Sequence, residues 1–83
     1  MDKIQIVGIR GVSFDDEKTG RTVNGTTFFY LMEDDHTSGK LAGKLFISAQ
    51  LCDSLDYVPN VGDECWVIYN RYGKPAKFEK IGK

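Results

Sequence analysis

The residues best suited to chemistry in this chain are aromatic rings set beside positive charges. Near the C-terminus, Tyr69-Asn70-Arg71-Tyr72-Gly73-Lys74-Pro75 places Tyr72 between Arg71 and Lys74, and Lys77 and Lys80 follow. A ring can stack on a nucleobase while neighbouring cations face phosphate oxygens, so the cluster suits a single strand of nucleic acid. Phe28 and Tyr30 lie two residues apart and so on one side of an extended chain. The remaining reactive groups offer less. Glu33-Asp34-Asp35-His36 holds metal-ligand residue types without a ligand spacing. Asp15-Asp16 and Asp34-Asp35 are paired carboxylates in polar stretches, where solvation is the ordinary role, and nothing near His36 in sequence would orient it as a base. Cys52 and Cys65 form no CxxC pair and read as two reduced thiols. The sequence has no P-loop, no GxGxxG, no GxSxG and no zinc signature. This pattern predicts a binding protein without cofactor, metal or enzymatic activity.

The elements that must position these residues fit within one domain over residues 1–83. The chain is 41% hydrophobic and 28% charged, ordinary for a soluble globular protein. A core of this size has a thin stability margin, which dimerisation would widen. Met1-Asp2-Lys3-Ile4 does not open a secretory signal, and no apolar run reaches the length of a membrane span, so a cytoplasmic location is expected. Net charge is −1 but unevenly spread. Residues 71–83 carry Arg71, Lys74, Lys77, Lys80 and Lys83 against Glu79, or 5 − 1 = +4, whereas residues 1–70 carry 6 − 11 = −5. A locally positive segment can hold phosphate on a near-neutral chain. Lysines along an edge strand also guard against aggregation, which is the plainer role for the same residues.

Residues 3–9 read as a strand, with Ile4 and Ile6 on one face, Val7 and Ile9 on the other, and Gly8 allowing a bulge or bend. Residues 10–25 read as a long polar connection, a protruding hairpin or wing with turn signals at Lys18-Thr19-Gly20 and Asn24-Gly25. Arg10, Phe14, Lys18 and Arg21 reach outward from it, while Asp15-Asp16-Glu17 would oppose an anionic ligand. Residues 26–33 are the strongest strand. Thr26, Phe28, Tyr30 and Met32 project to one side and Phe29 and Leu31 to the other, so one face is expected in the core and the other in a binding or dimer face. An acidic loop over 33–43 leads to a third strand at 44–48. Residues 48–57 read as a short helix with Ser48 as its N-cap, excluded from extending by Pro59. Val61-Gly62-Asp63 then turns into strands at 64–69 and 76–81. The order predicts an all-β fold, a five-stranded OB-fold Greek-key barrel with one short helix between strands 3 and 4, with an SH3-like barrel as the competitor. Neither fold fixes a function.

Several runs resemble the gene-V-type single-stranded DNA-binding proteins of filamentous bacteriophages and their relatives in prophages and conjugative elements. They are the first strand, the wing leading through Asn24-Gly25-Thr26-Thr27-Phe28, Lys44-Leu45-Phe46-Ile47-Ser48, Val61-Gly62-Asp63-Glu64 and Tyr69-Asn70-Arg71-Tyr72-Gly73. The resemblance implies a homodimer that coats single-stranded DNA, or RNA, without sequence preference during replication. It implies phosphate contacts from Arg10 and Arg21 on the wing and base stacking by Phe28 with Tyr30 beside it. It further implies a loop over residues 70–74 at the dimer axis, where Arg71 lies and Tyr72 stacks, and phosphate contacts from Lys74, Lys77 and Lys80. The alternative is a small OB- or SH3-like protein-interaction module of phage or mobile-element origin, in which Phe28, Tyr30 and Tyr72 form a protein hot spot.

Overall fold

The computed structural model describes residues 2–82. The chain runs β1 (Asp2–Asp16), β2 (Arg21–Met32), β3 (Leu41–Ser48), α1 (Ala49–Ser54), β4 (Glu64–Tyr69) and β5 (Pro75–Lys80). Every pairing is antiparallel, and the strands lie in the order β3-β2-β1-β4-β5. β1 is shared between two neighbours. Its first residues, Asp2 to Gln5, pair with β4, and from Gln5 onward it pairs with β2 as far as Asp16 opposite Arg21. No helix among the described residues is long and apolar enough to cross a membrane.

Local chemistry explains where elements begin and end. The wing is a hairpin arm, as expected, but its strands are continuous rather than loop-like. β1 extends through the region read as connection, and Asn24-Gly25 lies inside β2. A side chain at Gly25 would collide with the Phe46 ring, so glycine is there for close approach and not for a turn. The turn falls at Lys18-Thr19-Gly20, where Gly20 has φ 69° and its N–H donates to the Asp16 carbonyl at 2.8 Å. The expected bulge is present: Ile6 pairs with Tyr30 and Gly8 with Phe29, leaving Val7 unmatched. The Ser48 hydroxyl accepts from the Leu51 N–H at 3.2 Å and starts α1, which ends as Leu55 returns to extended backbone.

The expected closed barrel is not formed. Closure into an OB-fold would need a ladder between β3 and β5, but these are the two edges of the sheet and no ladder joins them among the described residues. The chain leaving α1, residues 54–57, faces residues 76–80 of β5 across a groove, so the side of β5 away from β4 meets an irregular segment instead of a strand. The small-barrel expectation, OB- or SH3-like, gives way to an open, strongly curled five-stranded sheet with a short helix packed beside it.

The concave face holds the core. Ile4 and Ile6 of β1, Phe28 of β2, Ile47 of β3, Cys65 and Val67 of β4 and Phe78 of β5 are all buried. The Phe28 and Phe78 rings meet with centroids 5.2 Å apart at 56°. Leu51, Cys52, Leu55 and Tyr57 cover this core from α1 and its exit. A polar corner fastens β1 to the start of β4. The Asp63 carbonyl accepts from the Ile6 N–H at 2.9 Å, and the Gly62 N–H donates to the Ile6 carbonyl at 2.8 Å. The Asp63 carboxylate accepts from the Tyr57 hydroxyl at 2.6 Å and from the Asn60 N–H at 3.0 Å. These donors, the Tyr57 hydroxyl first, hold the Asp63 carboxyl below its ordinary range, while burial and then Asp63 itself push the Tyr57 hydroxyl up.

Two outcomes follow from the core and the corner. Phe28→Ala should lower unfolding free energy by about 3–5 kcal/mol in a urea titration, the usual cost of emptying a buried aromatic site. A loss below about 1 kcal/mol would mean the ring is not a core residue. Asp63 is more acidic folded than unfolded, so its contribution is complete above the unfolded value and disappears as pH falls through the folded one. Tyr57→Phe should therefore flatten the acid limb of the stability profile, and an unchanged limb would show that the hydroxyl is not what holds Asp63.

Candidate functional site

The residues expected to bind nucleic acid do not converge. Phe28 has 0% exposure and packs on Phe78, so it cannot stack on a base. Tyr30 shares the concave side with Phe28. It is half-buried against the core, and its ring lies over Gly43, where an added side-chain carbon would be 2.6 Å from the Tyr30 oxygen. Arg10 and Arg21 are exposed on the β1–β2 arm, opposite Thr27 and Asp16 respectively. Arg71, Tyr72, Lys74, Lys77 and Lys80 belong to the β4–β5 hairpin, at the far edge of the sheet. Lys77 pairs with Glu79 at 3.6 Å, and Lys80 lies close enough to Asp63 to favour its ionised form. Lys83 lies outside the described residues.

Tyr72 is 75% exposed on a rigid turn. The Asn70 side chain accepts from the Tyr72 and Lys74 N–H groups at 2.9 and 3.1 Å, and Gly73 supplies φ 75°. The Arg71 guanidinium sits 5.6 Å from the centre of the Tyr72 ring. This ring faces outward, whereas Phe28, the other ring expected to stack, is buried. The arm carries Arg10, Lys18 and Arg21 against Asp15, Asp16 and Glu17, or 3 − 3 = 0, so it offers no net attraction to phosphate. The expected single-strand binding mechanism, aromatic stacking with phosphate contacts from Arg and Lys, is overturned by the buried Phe28, the open sheet and this dispersed charge.

The acidic loop is equally occupied with structure. Asp34 accepts from the Thr37 hydroxyl at 2.6 Å and the His36 N–H at 3.2 Å, as a turn cap does. The Tyr69 hydroxyl donates to Asp2 at 2.7 Å, and burial, then that contact, moves it up to about 12. Burial and then the Asp63 charge push the Cys65 thiol up to about 11.

What the structure assembles instead is an unpaired backbone edge beside an apolar surface. β4 covers β1 only near its start, and the Asp63 corner reaches Ile6. Among the described residues no ladder covers that side of β1 over 7–16. The bulge at Val7 changes which residues face outward. Before it Ile4 and Ile6 face the core, and after it Ile9 shares the concave side with its cross-strand partner Phe28. Arg10, Val12, Phe14 and Asp16 therefore lie together on the convex side. There Phe14, 50% exposed, meets Phe46, 39% exposed, with ring centroids 6.4 Å apart. Arg10, Val12, Thr27, Phe29 and Lys44 border a shallow depression on the same side.

The sequence signal for this edge was the alternation Arg10-Gly11-Val12-Ser13-Phe14, a strand pattern inside what reads as a polar loop. No family model, curated protein or solved structure matches the chain.

A thiol of this kind is inert. A disulfide-exchange reagent at pH 8 should leave Cys65 unmodified in the native protein and label it fully in denaturant. Native labelling of Cys65 at the unfolded rate would show that β4 is not packed as described.

Proposed function

We propose that this chain is a non-catalytic protein-binding domain that takes an extended strand of a partner onto the free edge of β1. The observation that carries the proposal is the unpaired edge over residues 7–16. Edge strands in natural sheets are blunted by proline, lysine or a covering segment. β5 opens with Pro75 and carries Lys77 and Lys80, and β3 has Lys44 at its middle and leads directly into α1. The β1 edge has neither proline nor lysine between residues 4 and 17, and it presents Val7, Ile9 and Phe14 to solvent.

Strand addition draws affinity from main-chain hydrogen bonds and specificity from alternate side chains. A strand laid along β1 would place every second residue beside Val12 and Phe14 and so continue the apolar surface that Phe14 and Phe46 begin. Gly8 and Gly11 carry no side chain on this edge, which leaves the backbone open to approach.

Selection from a random peptide library on the immobilised domain should return extended sequences with alternating apolar residues. Bound peptides should slow amide exchange within residues 7–16. Peptides that instead protect residues 70–74, around Tyr72, would move the binding surface to the other hairpin and overturn the proposal.

A further inference from the structure

We infer that the strand added to β1 is β1 of a second copy, giving a two-fold pair joined arm to arm. This rests on strand addition at the same edge and names its occupant. A two-fold axis normal to the sheet keeps the two convex faces together, and directly opposite residues then share a face. The axis must therefore pass through one residue of each arm.

The choice of residue is decided by charge. With Ser13 on the axis, Arg10 of each copy stands opposite Asp16 of the other, and Val12 stands opposite Phe14. Each of these contacts occurs twice. Gly11 then faces Asp15, whose carboxylate is already held by the Thr22 hydroxyl at 2.8 Å. Other registers lose this match. An axis at Val12 sets Arg10 against Phe14, and one at Phe14 sets Arg10 against Lys18. An axis at Gly11 leaves Arg10 opposite Val12 and sets no cation of the second copy against Asp16. The free groups are present to complete the pair: Arg10 makes no ion pair among the described residues. Asp16 uses one carboxylate oxygen to accept from the Lys18 N–H at 2.9 Å, which leaves the other for a cation.

The result would be a four-stranded ribbon, β2-β1-β1-β2, linking two curled sheets. Cross-strand pairs of opposite charge stabilise antiparallel ladders, and like charges directly opposite weaken them. The two-fold axis doubles each effect.

The test uses the intact chain in sedimentation equilibrium, with near-ultraviolet circular dichroism to show that each variant is folded. The native protein should self-associate, and its amides within residues 10–16 should gain protection as concentration rises. R10D sets carboxylate against carboxylate twice, and D16R sets guanidinium against guanidinium twice. Each alone should raise the dimer dissociation constant by roughly tenfold or more. An equimolar mixture of the two variants should form a heterodimer, because both crossed pairs then match. The double variant R10D/D16R, in which charge is exchanged within one chain, should self-associate like the native protein. A native protein that stays monomeric at millimolar concentration would overturn self-pairing. So would a dimer that both single variants leave intact. If selected peptides protect residues 7–16 of a monomeric protein, strand addition stands and only its occupant is wrong. If neither peptides nor self-association touch these residues, both fail.

Discussion

The contact between Phe28 and Phe78 is the constraint on which the rest of the molecule depends. In the sheet order, two strands separate β2 from β5. At about 4.8 Å per strand, a flat sheet would hold these rings roughly 14 Å apart. Their centroids are 5.2 Å apart. The sheet must therefore curl until its ends face each other, which produces the concave side on which Ile4, Ile6, Ile47, Cys65 and Val67 gather. The curl leaves β3 and β5 as separate edges, and residues 54–57 face residues 76–80 of β5 across a groove. An all-β core is thus closed by side chains while its hydrogen-bonded edges stay open.

That contact also explains which parts of the fold were legible from the sequence. The number and order of strands, the short helix with its Ser48 cap, the turn at Lys18-Thr19-Gly20 and the irregularity near Gly8 each depend on a few neighbouring residues, and all are found. The faces of β2 were not legible. Phe28, Tyr30 and Met32 alternate with Phe29 and Leu31, so periodicity offers two apolar faces and no means of choosing between them. The choice is made by Phe78, fifty residues away in the chain. Phe28 was placed in a binding face and lies in the core. Gly25 failed for a related reason: Asn-Gly is a strong turn signal, yet the demand at this position comes from Phe46 on the neighbouring strand.

The candidate site was legible only in fragments. Arg10 and Phe14 were seen as reaching outward from a wing, and they do. What escaped was that the wing's backbone is regular and one side of it unpaired, because a run with three glycines and three consecutive acids reads as loop. Backbone groups leave no trace in composition. They become visible only once the topology shows that β4 pairs with no more than the first residues of β1. The same topology separates the basic β4–β5 hairpin from the arm.

The unmatched Val7 has a consequence for how this chain can vary over time. Everything beyond it on β1 is one step out of phase with what precedes it, so Arg10, Val12 and Phe14 reach the convex side only because one residue is left over. Loss of a single codon just beyond the bulge would exchange the two faces of the arm and carry its convex charges to the concave side. Paired losses, one on each side of the bulge or two within the arm, would shorten the arm and keep its faces. Natural length variation in this arm should thus proceed in steps of two, and a lineage that has lost the bulge should carry its apolar residues one place along.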